Sequence, residues 1–154
     1  MTFYYLDASA WVKRYYREIG TRWVQKLFTD GGTLTCASLG VVEVTATLAR
    51  KAKVREISRK QLTQKVRELD DDWSRFIQIH VNLEVVTQAR EVARQRALRG
   101  ADAVHLASAF VLRSRFVEAE DELVFVVADH QLKEAARSAG LRVADPEEAV
   151  ETEP

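Results

Sequence analysis

The sequence predicts an α/β fold with a mostly parallel β-sheet, because segments typical of strands alternate with segments typical of helices. The connections between these segments are short, and no repeat or low-complexity linker interrupts them. Residues 123–127 (Leu-Val-Phe-Val-Val) form a continuous apolar run, as expected for a parallel strand buried on both faces. With 154 residues, of which 47% are hydrophobic, the chain suits one compact domain.

The individual elements follow from apolar spacing and from residues that begin or end helices. In chain order, the predicted strands are residues 3–6, 33–36, 76–81, 123–127 and 141–143. The predicted helices are residues 8–17, 21–29, 38–53, 58–75, 84–99, 101–115 and 130–138. Gly31 and Gly32 end the second helix, Gly100 ends the fifth and Gly140 ends the last.

Two of the helices carry clear N-caps and apolar stripes. Ser38 is the predicted N-cap of the third helix and Ser58 that of the fourth. The stripe of the third helix consists of Leu39, Val42, Ala46 and Ala49. In the first helix, Trp11 and Tyr15 lie four residues apart and so share one face.

The net charge is zero, because 23 basic and 23 acidic residues cancel. This balance argues against a protein that holds nucleic acid by its overall charge alone. Residues 50–67 are nevertheless basic, with eight Lys or Arg against Glu56 alone, and the last ten residues carry five acids and no base. This distribution suggests an anionic partner for one surface, or else simply solvated helix faces.

Cys36 is the only cysteine, which excludes an internal disulfide and fits a reducing cytosol. His80, His105 and His130 are far apart in sequence, so a Cys/His zinc site is not expected. No secretory signal and no run of 18 apolar residues are found, and we therefore expect a cytoplasmic protein without a membrane span.

Four acids are the candidate catalytic and metal-binding residues: Asp7, Glu43, Asp102 and Asp129. Asp7 and Asp129 directly follow predicted strands, and the functional crevice of a parallel sheet lies at the carboxyl ends of its strands. Taken singly, Asp7, Asp102 and Asp129 could also be helix N-caps. Glu43 lies within a helix, where it could instead pair with a base such as Arg50.

Acids that converge in one pocket would repel one another unless a cation neutralises them. Oxygen ligands without His or Cys select Mg²⁺ or Mn²⁺, which could activate water and stabilise a phosphoryl transition state. Ser9 could orient Asp7, touch a metal-bound water or cap the helix, and His105 is expected to be a packed helix residue rather than a base. A Walker phosphate loop and a G-x-S-x-G elbow are not found in the sequence.

Four segments form an ordered set along the chain: Tyr5-Leu6-Asp7-Ala8-Ser9-Ala10, residues 37–50 around Glu43, Arg99-Gly100-Ala101-Asp102-Ala103-Val104-His105, and Val126-Val127-Ala128-Asp129 with residues 132–146. This set resembles the PIN domain family, in particular the VapC-type toxin ribonucleases. One departure is Val127, where the family often has Thr or Ser. The resemblance implies a three-layer α/β/α sandwich over residues 1–146, followed by an acidic tail over residues 147–154.

The resemblance also implies an activity and partners. These are metal-dependent endoribonuclease activity, a homodimer, and an antitoxin whose C-terminal segment blocks the site. A non-cleaving module that binds RNA or protein, and a metal-dependent nuclease with a DNA substrate, remain alternatives. The candidate RNA phosphate contacts are Lys13, Arg14, Arg50 and Arg99.

Overall fold

The five strands form one parallel sheet, which confirms the predicted fold class. The structure is a computed structural model that describes residues 1–149. Its strands are β1 (Thr2–Leu6), β2 (Thr33–Ala37), β3 (Ile77–Ile79), β4 (Glu122–Val126) and β5 (Arg142–Ala144). Their order across the sheet is β3-β2-β1-β4-β5, and every neighbouring pair is parallel.

Helices connect these strands. They are α1 (Ala8–Trp11), α2 (Thr21–Thr29), α3 (Ser38–Lys53), α4 (Arg59–Trp73), α5 (Leu83–Arg96), α6 (Gly100–Phe116), α7 (His130–Ser138) and α8 (Pro146–Ala149). None of the helices within residues 1–149 is long and apolar enough to cross a membrane.

The strand order places the carboxyl ends of β1 and β4 side by side at a switch point of the sheet. β2 lies on one side of β1 and β4 lies on the other, so the connections run in opposite directions from this point. Such a switch point opens a crevice beyond the carboxyl ends of the two strands. Asp7 follows β1 directly, and Asp129 lies three residues after the end of β4.

The first helix is shorter than predicted. α1 ends at Trp11, and Val12–Arg14 form a 3₁₀ turn in place of the helix predicted to continue to residue 17. The indole of Trp11 donates a hydrogen bond to the Tyr15 hydroxyl at 2.9 Å, so these residues do meet as their spacing predicts. The tighter turn buries Lys13, whose ammonium then needs carboxylate partners.

Helix α3 packs through a face other than the predicted stripe. Its buried residues are Gly40, Val44 and Leu48, whereas Val42 is 65% exposed. Gly40 allows this contact, since a Cβ there would lie only 2.4 Å from Cys36 Sγ and 3.4 Å from the Trp11 ring. The predicted stripe was wrong because glycine, which has no side chain, was not counted as part of a packing face.

Two helix ends also differ from prediction. Ala97 adopts φ 52° at the end of α5, and Gly100 begins α6 instead of ending the helix before it. Ala37, rather than Ser38, occupies the N-cap position of α3, and Ser38 Oγ accepts from the Val81 amide at 3.2 Å. Ser58 caps α4 as predicted, in a reciprocal capping box with Gln61.

The C-terminal segment is attached to the domain by two buried lysines. Lys133 donates to Asp145 at 2.9 Å and to Glu148 at 2.8 Å. Lys13 donates to Glu18 and Glu147, both at 3.0 Å. Lys13 and Lys133, with these four carboxylates, are called the C-terminal clasp below. Of the predicted acidic tail, residues 147–149 belong to α8 and residues 150–154 lie outside the described residues.

Candidate metal site

The four candidate acids line one cavity of about 620 Å³ at the carboxyl end of the sheet. Asp7 comes from the end of β1, Glu43 from α3, Asp102 from α6 and Asp129 from the loop after β4. Acids that are up to 122 positions apart in sequence are therefore brought together by the fold.

Asp7 is the most deeply buried of these acids, with 4% of its surface exposed. It is the N-cap of α1, because its Oδ1 accepts from the Ala10 amide at 3.0 Å, and it also accepts from Ser9 Oγ. Burial raises the pKa of Asp7 to about 6, although His105 and Ser9 act in the opposite direction. The ionised carboxylate is therefore costly in this position without additional positive charge.

Ser9 links the ends of β1 and β4. Its hydroxyl donates to Asp7 at 2.7 Å and accepts from the backbone amides of Ala128 at 3.1 Å and Asp129 at 3.3 Å. The Val127 side chain is fully buried in the core. The Ser9 hydroxyl thus contacts the carboxylate of Asp7 and the backbone amide of Asp129.

Asp102 and Asp129 share one guanidinium. Arg99 Nε lies 3.1 Å from Asp102 Oδ2, and Arg99 Nη2 lies 3.3 Å from Asp129 Oδ2. Asp129 is also the N-cap of α7, where it accepts from the Leu132 amide at 2.9 Å. Asp102 does not cap α6, since Arg99 occupies that position and Asp102 lies in the first turn.

Glu43 contacts a histidine rather than Arg50. His105 Nε2 lies 2.5 Å from Glu43 Oε1, and Arg50 donates instead to Thr47 Oγ1 at 3.0 Å. His105 is 1% exposed, as a packed helix residue should be, yet it directly contacts a candidate ligand. Sequence reasoning missed this contact, although His105 lies one turn after Asp102 and so shares its helix face.

Three of the four basic residues predicted to contact RNA phosphates line the cavity, and Arg14 does not. Arg50 and Arg99 line the cavity, and Lys13 lines it with an ammonium that is already paired in the C-terminal clasp. Arg14 is not brought to the cavity, because its guanidinium stacks on Phe28 and lies 3.3 Å from Asp72.

The donor chemistry of the cavity fits a hard divalent cation. Its four carboxylates supply oxygen ligands of the kind that Mg²⁺ and Mn²⁺ prefer. Within residues 1–149, no group of three His, Cys, Asp or Glu residues has the arrangement of a ready-made metal site, since each acid is turned toward a protein partner. Side chains must therefore reorient within the cavity to share an ion. Glu43 and Asp129, each with a side chain that is 31% exposed, have room to do so.

Comparison with known proteins identifies the family. The sequence model of the PIN domain family matches residues 4–143. The chain is 35% identical over 144 residues to Ribonuclease VapC45 and to Ribonuclease VapC49 of two Mycobacterium tuberculosis strains, which covers 94% of this chain and 96% of each relative.

Solved structures share the fold at lower sequence identity. PAE2754 from Pyrobaculum aerophilum superposes with a TM-score of 0.66 at 21% identity, covering 97% of this chain and 87% of that one. A chain of a toxin-antitoxin complex from Klebsiella pneumoniae gives a TM-score of 0.63 at 15% identity, covering 92% and 96%. The family match over most of the chain, together with the 35% identity to two curated relatives, shows that this chain belongs to the PIN domain family.

Proposed function

We propose that this protein is a metal-dependent endoribonuclease that hydrolyses RNA phosphodiester bonds. The observation that carries the proposal is the set of four carboxylates, from four separate elements, that line one cavity at the switch point of the sheet. The two curated relatives are named as ribonucleases, which supports RNA as the substrate.

Asp7, Glu43 and Asp102 would hold one Mg²⁺ or Mn²⁺, and Asp129 would bind it or a second ion through water. Such an ion supplies charge that stabilises a phosphoryl transition state and lowers the pKa of a coordinated water. Ser9 keeps Asp7 oriented through its hydrogen bond, and Arg99 offsets part of the negative charge of Asp102 and Asp129.

The biological role that we propose is that of the toxin in a toxin–antitoxin pair. The superposed complex from Klebsiella pneumoniae is a toxin-antitoxin complex, which supports an antitoxin as the protein partner of this chain. We further propose that the protein is a homodimer and that it acts on RNA in the cytoplasm. A small upstream reading frame that encodes a DNA-binding protein would support this role.

A substrate and metal panel tests the activity. Protein purified free of any antitoxin should cleave single-stranded or loop-containing RNA in Mn²⁺ or Mg²⁺, and EDTA should abolish the cleavage. DNA oligonucleotides of the same sequence should remain intact under the same conditions. Cleavage of DNA alone would assign a DNA nuclease instead, and cleavage that is unaffected by EDTA would overturn the metal-dependent mechanism.

A non-cleaving PIN-like module is the second candidate. The Arg99 guanidinium already pairs with both Asp102 and Asp129, and this arrangement would suit a protein that binds RNA without cutting it. Failure to cleave any RNA in Mn²⁺, combined with retained RNA binding, would favour this candidate.

RNA must reach an acidic cavity, so we expect Arg50 and Arg99 at its margin to contact phosphates. RNA affinity should then fall steeply with salt, and replacing either arginine with alanine should reduce the slope of log K against log [salt] by about 0.7. Fluorescence anisotropy with labelled RNA, in an Asp7→Asn background that prevents cleavage, measures this slope. Arg113→Ala is the matched control, because Arg113 lies about 16 Å along α6 from Asp102. Equal slopes for all variants would remove these contacts from the proposal.

A further inference from the structure

We propose that His105 is a positioning residue for Glu43, and that it acts through a buried hydrogen-bond relay from the Ala37 amide and the Tyr5 hydroxyl. The inference rests on the proposed function, since it assigns Glu43 to the metal site. The relay consists of Ala37 N, Tyr5 Oη, both ring nitrogens of His105 and Glu43 Oε1.

Short distances join the members of the relay. The Ala37 amide donates to Tyr5 Oη at 3.2 Å, Tyr5 Oη lies 2.8 Å from His105 Nδ1, and His105 Nε2 lies 2.5 Å from Glu43 Oε1. Tyr5 is 0% exposed and His105 is 1% exposed, so water does not compete for the bonds that join Ala37, Tyr5 and His105. Tyr5 also stacks on Phe125, with ring centroids 5.3 Å apart, which fixes the plane of the phenol.

The hydrogen atoms of the relay can be assigned from its donors and acceptors. The Tyr5 hydroxyl accepts from an amide and has one hydrogen, for which His105 Nδ1 is the neighbouring acceptor. Nε2, which faces the Glu43 carboxylate, then carries a hydrogen both in this neutral tautomer and in the imidazolium. His105 therefore donates to Oε1 and leaves the remaining lone pairs of the carboxylate available to a cation.

The relay also connects the elements that carry the other acids. Tyr5 lies on β1 two residues before Asp7, which continues the extended backbone just after the strand, and alternate residues of an extended chain point to the same face. His105 lies one turn after Asp102 on α6. The relay thus ties β1, α3 and α6 together directly behind three of the four candidate ligands.

Glu43 has a particular need for such support. Its side chain is long and 31% exposed, and free glutamate side chains lose considerable rotamer entropy when they are fixed. Within residues 1–149, His105 is the one side chain that hydrogen-bonds to the Glu43 carboxylate. Residues that support a metal ligand in this way change metal affinity without touching the ion.

Metal titration of three variants tests the inference. We expect His105→Leu to weaken Mn²⁺ binding roughly ten- to a hundredfold, as is typical when a ligand loses its supporting hydrogen bond. Tyr5→Phe, which removes only the hydroxyl that orients the ring, should weaken binding less but in the same direction. His105→Gln, which retains an N–H donor, should recover part of the loss. Mn²⁺ affinity is measured by calorimetry, and thermal melting verifies that each variant is folded.

A double substitution separates positioning from general damage. In a Glu43→Gln background, His105→Leu should cause no further loss of Mn²⁺ affinity, because the supported carboxylate is already gone. Ser114→Ala is the matched control on the same helix, since Ser114 lies nine residues beyond His105 and its hydroxyl donates to the Val111 carbonyl at 3.5 Å, and this variant should bind Mn²⁺ normally.

The outcomes distinguish this inference from the proposed function. If the wild-type protein binds no Mn²⁺ and cleaves no RNA, the proposed function fails and the inference fails with it. If the wild-type protein binds Mn²⁺ and cleaves RNA while folded His105→Leu and Tyr5→Phe variants bind Mn²⁺ equally well, only the inference is overturned.

Discussion

Replacing Asp7 with asparagine is expected to slow RNA cleavage by about a thousandfold or more, which corresponds to about 4 kcal/mol of lost transition-state stabilisation. Asp7 is the most buried of the four acids and lies at the end of the central strand. Asparagine is an equally good N-cap, so helix α1 should persist and the loss should come from the missing charge. Initial rates on a labelled RNA in Mn²⁺, with antitoxin-free protein, measure the effect.

Asp72→Asn provides the matched control for this loss. Asp72 is also a buried aspartate, 7% exposed, but it pairs with Arg14 and Tyr15 outside the acid-lined cavity. Its replacement should leave the cleavage rate within a fewfold of wild type under conditions where the variant is folded. Wild-type activity of the Asp7→Asn protein would end the assignment of Asp7 as a ligand.

The same Asp7→Asn substitution is expected to stabilise the metal-free fold at neutral pH, on the order of 3 kcal/mol. The pKa of Asp7 is raised by burial from its ordinary value of 3.8 to about 6 in the folded protein, and each pKa unit corresponds to about 1.4 kcal/mol. An acid with a raised pKa favours folding at low pH, and that contribution is lost as the pH rises through the folded-state pKa. Ionised Asp7 therefore destabilises the metal-free protein above about pH 6.

Urea unfolding in EDTA measures this effect as a difference between the wild type and the variant. The gain in free energy of unfolding should be near zero at about pH 4, grow between pH 4 and 6, and remain constant above that range. Saturating Mn²⁺ should stabilise the wild type more than the variant, because the ion binds the folded wild type preferentially. A difference that does not change with pH would show that the Asp7 carboxyl is not desolvated.

Much of the fold could be predicted because its signals are local. The strand over residues 123–127 and the helices around residues 38–53 and 130–138 lie within a residue or two of their predicted positions. The apolar runs that precede Asp7 and Asp129 also predicted that both acids follow parallel strands. This position was enough to predict the one cavity that they share.

The features that could not be predicted depend on contacts between distant residues. The buried face of α3 depends on Gly40 meeting Cys36 and Trp11, and the end of α1 coincides with the burial of Lys13. The contact between His105 and Glu43 joins residues 62 positions apart on two helices whose mutual orientation no local pattern specifies. Arg14 and Arg50 were equally plausible phosphate contacts in sequence, and only the fold shows that one of them faces another surface.

The C-terminal clasp makes residues 145–148 the counterions of two buried lysines. Asp145, Glu147 and Glu148 lie beyond residue 143, where the match to the family ends, yet they neutralise two ammonium groups inside the domain. A shortened chain that stopped at the family boundary would leave Lys133 buried without a counterion and Lys13 with Glu18 alone. The domain boundary suggested by sequence similarity is therefore not the boundary required for charge balance in the interior.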